Sequence, residues 1–196
     1  MFTSETRSCL MILLTSFFLI SCVQSNKTQK QSSDPFASLT IYGKLPEFSA
    51  TSDMDSIVNA AMLKNKICLV SFFFSSCGDI CPKLNAVKHA IVKKNGSDKL
   101  RFVSVTVDPN TDVPSTMRNH RQLMGFTDKR WLFVRMHNDT ILEQFMNGML
   151  IGYAENPQNH TARLILVDSL SRIRGYFDAL DRKQIDSLQS ILKKVQ

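Results

Sequence analysis

An apolar run of strand length, Ile67 to Phe74, gives way to Ser75-Ser76-Cys77-Gly78-Asp79-Ile80-Cys81-Pro82, after which apolar residues recur at Leu84, Val87, Ala90 and Ile91. The run, broken only by Ser71, is what a central parallel strand covered on both faces requires, and the spacing after it marks one face of a helix. Phe102 to Val107, rich in β-branched residues, predicts a second strand. Asp108-Pro109 breaks it, and Pro114 stands where a first helical turn can begin, predicting a helix to about Met124. Trp131 to Met136 predicts a third strand and Thr140 to Met149 a helix. Arg163 to Asp168 and Ile173 to Phe177 predict a late strand pair. Asp181 is placed to cap a last helix whose apolar positions are Ile185, Leu188, Ile191 and Leu192. No internal repeat is visible.

The N-terminus follows another pattern. Arg7 precedes an uncharged run from Ser8 to Asn26 whose apolar part, Cys9 to Val23, is interrupted only by Thr15, Ser16 and Ser21. That length suits the core of a signal peptide and falls short of the roughly 20 apolar residues of a membrane-spanning helix. Its end, Leu19-Ile20-Ser21-Cys22, resembles the lipobox of bacterial lipoproteins, in which the cysteine is acylated and becomes the mature N-terminus. The alternative is an uncleaved anchor helix. From Gln24 to Pro35 the chain is Ser, Lys, Gln and Asn with almost nothing apolar, the composition of a tether. The expected organisation is a lipoprotein signal over 1–21, a flexible tether over 22–40 and one folded domain over 41–196.

Composition adds bounds. The chain has 196 residues, 43% of them hydrophobic and 21% charged, which is ordinary for a globular domain with a real core. The net charge of +7 survives removal of residues 1–21, because Glu5 and Arg7 leave together. No run of five Lys or Arg occurs, so the charge reads as a solvated surface, with no nucleic-acid partner expected. Beyond the cytoplasm thiols tend toward oxidation unless a reductant or a metal holds them. Cys9 leaves with the signal and Cys22 is the lipid site, so Cys68, Cys77 and Cys81 remain to be explained.

Strand, helix, strand, helix, strand, then a strand pair and a closing helix is the order of a thioredoxin-like α/β fold, a single domain with a central mixed β-sheet flanked by helices. Cys77 and Cys81 then fall at the carboxyl end of the first core strand and the mouth of the next helix. Ligands bind at that end of open α/β sheets, and a helix N-terminus favours thiolate, the form that binds metal or attacks a disulfide. Four residues of helix rise about 6 Å, so the two sulfurs can share one ion or close a disulfide, but not both at once. Thiolates are soft donors suited to Cu(I), and a zinc site would want further ligands.

With Phe74-Ser75-Ser76-Cys77-Gly78-Asp79-Ile80-Cys81-Pro82, Val105-Thr106-Val107-Asp108-Pro109-Asn110-Thr111-Asp112-Val113-Pro114 and Asn159-His160-Thr161, the chain resembles the Sco/SenC family of copper-binding assembly proteins from about Tyr42 to Val195. The resemblance implies copper held by Cys77, Cys81 and His160 and used to build the dinuclear copper site of cytochrome c oxidase. Gly78 stands where many members carry Pro, and no Val-Asp precedes His160. The implied partners are the copper-bearing oxidase subunit or another copper chaperone, a thiol reductant, and the periplasmic face of a membrane reached through the lipid anchor. Cys77 and Cys81 could instead be the redox pair of a thiol-disulfide reductase that keeps an acceptor's copper-ligand cysteines reduced. A redox or copper sensor is a third reading, and a purely structural disulfide a fourth.

Other residues receive blander roles. Cys68, inside the apolar strand, is expected to pack as a small hydrophobe. His89, His120 and His137 have no partner by spacing and are expected at the surface. Met146 and Met149 read as helical packing, and Asp108 and Asp112 as structural residues near the site. Asp79 could tune the thiolates, offer a docking contact, or be only a polar loop residue.

Overall fold

The structure is a computed structural model that describes residues 34–78, 80–151 and 162–195. Among the described residues eight strands form one sheet: β1 Gly43–Lys44, β2 Ser49–Ser52, β3 Ile57–Asn59, β4 Ile67–Phe73, β5 Leu100–Thr106, β6 Trp131–Met136, β7 Arg163–Val167 and β8 Arg172–Asp178. Their order across the sheet is β1-β8-β7-β4-β5-β6-β2-β3. β4, β5 and β6 run parallel, and every other pairing is antiparallel. The α-helices of the described residues, α1 Ile80–Lys94, α2 Pro114–Leu123, α3 Asp139–Gly148 and α4 Arg182–Leu192, cover the sheet.

Side-chain alternation along β4 explains the two layers. Ile67, Leu69 and Phe73 join a core built with Leu84 and Ile91 of α1, Met117 of α2 and Leu188 of α4. Cys68, Val70 and Phe72 face the other way into a core closed by Leu142, Phe145 and Met146 of α3. A strand buried on both faces has no solvent side to show, hence an apolar run broken only by buried Ser71. The mixed thioredoxin-like sheet expected from the element order is present. Asp181 caps α4 by accepting from the backbone N–H of Lys183 at 2.8 Å and Gln184 at 3.3 Å.

Three strands and the domain's edge escape the pattern reading. β1, β2 and β3 are two to four residues long, and the buried positions of β2 are the small residues Ala50 and Ser52, which carry no hydrophobic period. Residues 34–40, read from the sequence as the end of the tether, lie against the domain. Phe36 is 1% exposed in the core, Asp34 pairs with Arg172 at 2.8 Å and Arg174 at 3.3 Å, and the Phe36 carbonyl accepts from Arg174. A single aromatic after a polar stretch has no periodicity to announce it.

The parallel strands give the sheet two ends. The carboxyl ends of β4, β5 and β6 point to the loop that carries Cys77. At the opposite end lie the starts of those strands, the last turns of the helices that return from them, and Asp34 beside Arg172. Among the described residues no helix is long and apolar enough to cross a membrane.

Candidate metal centre

Cys77 lies in the loop between β4 and α1, its N–H donating to the Phe74 carbonyl at 3.2 Å. The N–H of Cys81, in the first turn of α1, donates to the Cys77 sulfur at 3.4 Å. A sulfur in this position takes up one of the donors that the start of a helix leaves without an intrahelical partner. No disulfide joins Cys68, Cys77 or Cys81; all three are thiols. The pair is asymmetric: Cys77 is half-buried at the junction of the two cores, whereas Cys81 is 1% exposed. Burial first, then the hydrogen bond to Cys77, push the Cys81 thiol up to about 12, against a downward pull from the Phe74 backbone and Lys88.

The segment before Cys77 is clamped. Asp112, 1% exposed, accepts from the Ser75 N–H at 3.1 Å, from the Ser75 hydroxyl, and from the Thr106 hydroxyl at 2.5 Å. His120 stacks on Phe73 with ring centroids 5.2 Å apart. Burial lowers the pKa of His120, opposed by the nearby Asp112 carboxylate. Asp112 therefore has the structural role beside the site that its turn sequence suggested. His120 does not lie at the surface as expected: it is 5% exposed on the sheet-facing side of α2. His89 is half-buried, stacked on Phe126 with centroids 4.2 Å apart, and His137 is exposed after β6. Met146 and Met149 are core, as is Cys68, whose thiol burial pushes up to about 12.

Lys88 was not anticipated. It is 2% exposed, donates from Nζ to the Ser104 hydroxyl at 2.9 Å, and lies 4.8 Å from the centroid of the Trp131 ring. Trp131 Nε1 donates to the same oxygen at 2.9 Å. Burial pulls the Lys88 ammonium down to about 7, with Cys81 acting in the opposite direction. The available signal was position: Cys81, Leu84, Lys88 and Ile91 share the buried face of α1.

Among the described residues no third His, Cys, Asp or Glu joins the two cysteines in a metal-holding group. His160, Cys22 and Asp79 lie outside the described residues. What the structure brings together is a pair of sulfur donors, one reachable and one buried, at the mouth of a helix.

The SCO1/SenC family model matches residues 42–196. The chain belongs to the SCO1/SenC family. The SCO1 protein homolog of Bacillus subtilis is 22% identical over 143 residues, 69% of this chain and 74% of that one. An SCO2-like protein of Rickettsia conorii is 30% identical over 112 residues, 47% of this chain and 54% of that one, so this SCO1/SenC chain spans about half the length of that relative. Solved structures share the fold. BsSco, described as having a disulfide switch and as a member of the Sco family of cytochrome c oxidase assembly proteins, superposes with TM-score 0.71 at 20% identity, covering 79% of this chain and 95% of that one. An SCO1/SenC family lipoprotein from Bacillus anthracis gives 0.69 at 20% identity, covering 78% and 94%. Yeast Sco1, solved with copper bound, gives 0.61 at 16% identity, covering 77% and 93%.

Proposed function

We propose that this SCO1/SenC protein carries copper on Cys77, Cys81 and His160 and passes it by ligand exchange to a copper-bearing subunit of cytochrome c oxidase, or receives it from another copper chaperone. Residues 1–21 are a leader, acylated Cys22 anchors the chain at the membrane, and the domain works on the periplasmic side. The hydrogen bond between the Cys81 backbone and the Cys77 sulfur carries this reading, because it holds two soft donors at one helix mouth. Copper on yeast Sco1, the lipoprotein from B. anthracis and the assembly family of BsSco lend it support. Metal analysis of protein purified reduced and without oxygen tests it. Stoichiometric copper is expected in the wild type and in Cys68→Ser, and is expected to be lost in Cys81→Ser, in His160→Ala and after oxidation to the Cys77–Cys81 disulfide. Tight copper in the oxidised protein would refute the ligand set.

The asymmetry of the pair favours a second reading, a thiol-disulfide reductase. Half-buried Cys77, as thiolate, would attack one sulfur of an acceptor disulfide. Cys81 would then lose its proton and displace the acceptor, which leaves as a dithiol. The two electrons come from Cys77 and Cys81, which end as a disulfide, and a thiol reductant restores them. His160→Ala distinguishes the readings, since it should remove copper affinity and spare disulfide exchange.

A further inference from the structure

Exposed lysines gather at one end of the sheet. Lys64 precedes β4, Lys93 closes α1, Lys99 precedes β5, Lys129 precedes β6, and Lys193 and Lys194 follow α4; each is exposed and each lies at the end opposite Cys77. Carboxylates at that end are largely taken up in pairs: Asp34 and Asp168 with Arg172 and Arg174, Asp128 with Arg130, and Asp55 with Arg118. Asp98 remains as an exposed acid beside Lys99. Two leucines are exposed at the same end, Leu170 at 64% in the β7–β8 turn and Leu123 at 81% at the close of α2. A cleft of about 440 Å³ opens there, with Asn65, Lys99, Ser169 and Lys194 beside the apolar Phe36 and Ile67 in its lining.

The first described residue, Asp34, is pinned to this end by Arg172. Cys22 lies only twelve residues earlier in the sequence, a span of at most about 42 Å when fully extended. A surface of lysines with projecting leucines matches the chemistry of an anionic lipid interface, where each basic side chain near the headgroups adds attraction and apolar side chains enter the acyl boundary.

We infer that this lysine-rich end of the domain docks on an anionic phospholipid surface, with headgroup phosphate in the cleft between Lys99 and Lys194, so that the cysteine loop faces away from the membrane. The inference rests on the lipid-tether reading for its geometry and on the charge distribution for its partner. The seven residues of β4, about 23 Å long, separate the docked end from the cysteine loop. Cys77 is thereby presented on the side away from the membrane and kept from the headgroups.

The test uses the acylated full chain in vesicles of phosphatidylcholine, alone or mixed with phosphatidylglycerol, with amine labelling of each lysine read by mass spectrometry. Lys64, Lys93 and Lys129 should label several-fold more slowly on the mixed vesicles than on phosphatidylcholine alone. High salt or the double substitution K99E/K194E should abolish the difference, and Cys77 alkylation should proceed equally on both vesicle types. Equal lysine labelling on both, or protection of Cys77 in place of the lysines, would overturn the inference. The mass of acyl chains on Cys22, read in the same experiment, decides the tether separately. If they are missing, the dependence on phosphatidylglycerol still decides the docking surface in chain held through residues 1–21.

Discussion

The Cys81 backbone N–H donates to the Cys77 sulfur at 3.4 Å, and the Cys81 thiol is in turn held protonated by burial and by its hydrogen bond to that same sulfur. One sulfur is thus both the cap of α1 and the nearest partner of the other. Chemistry at Cys77, whether metal, disulfide or alkylation, is felt directly by the first turn of the helix.

Alkylation should follow this asymmetry. At neutral pH a small iodoacetamide-type reagent should modify half-buried Cys77 at least tenfold faster than Cys81, because the reactive species is the thiolate and the Cys81 thiol is pushed up to about 12. In Cys77→Ala the hydrogen bond that raises Cys81 is gone, so thiolate absorbance from Cys81 should appear at lower pH than in the wild type. Equal rates for the two cysteines in the wild type would contradict the arrangement.

Asp112→Asn should loosen the site without adding bulk. The amide brings hydrogen-bond donors to a point where the Ser75 N–H, the Ser75 hydroxyl and the Thr106 hydroxyl all donate. A buried mismatch of this kind costs about 1–3 kcal/mol. A lower midpoint in denaturant and faster modification of Cys77 are expected together. A lowered midpoint with unchanged Cys77 reactivity would mean that Asp112 supports the fold but not the loop.

Lys88→Met should stabilise the protein, and the gain should depend on pH. The ammonium is pulled from 10.5 down to about 7 in the folded chain. Between those values the unfolded chain binds a proton that the folded chain does not, so wild-type stability rises with pH across that window. The penalty for burying Lys88 is largest at pH 7 and below, where Met should add on the order of 2 kcal/mol, and it should fade toward pH 10.5. Urea unfolding of both proteins at several pH values reads the difference. A gain that does not vary with pH would assign it to packing alone.

Phe36→Ala tests the revised start of the domain. Truncating an aromatic side chain that is 1% exposed should cost about 3–5 kcal/mol. Asp34→Ala, which removes a partner from Arg172 and Arg174, should cost less, since Asp168 still pairs with both arginines. If thermal unfolding of Phe36→Ala matched the wild type, residues 34–40 would belong to the tether after all.

Local sequence was enough for the long elements and for the cysteine pair. The nearly continuous apolar run at Ile67 called for a strand covered on both faces, and the β-branched stretch at Phe102 and the apolar residues from Trp131 called for two more strands. The 3.6-residue period after Cys81 required a helix to begin where the loop ended, which put Cys77 and Cys81 at one helix mouth. Tertiary structure decided what depends on partners distant in sequence. His120 looked like a surface residue until α2 turned it onto Phe73, and nothing in the spacing singled out Lys88, which the α1 face that carries Cys81 buries against Ser104 and Trp131. Phe36 and the short strands β1 to β3 likewise depend on neighbours far along the chain. Periodicity records which face of an element is dry, but whether a lone polar or aromatic side chain finds a buried partner is set by the packing of elements that the sequence keeps apart.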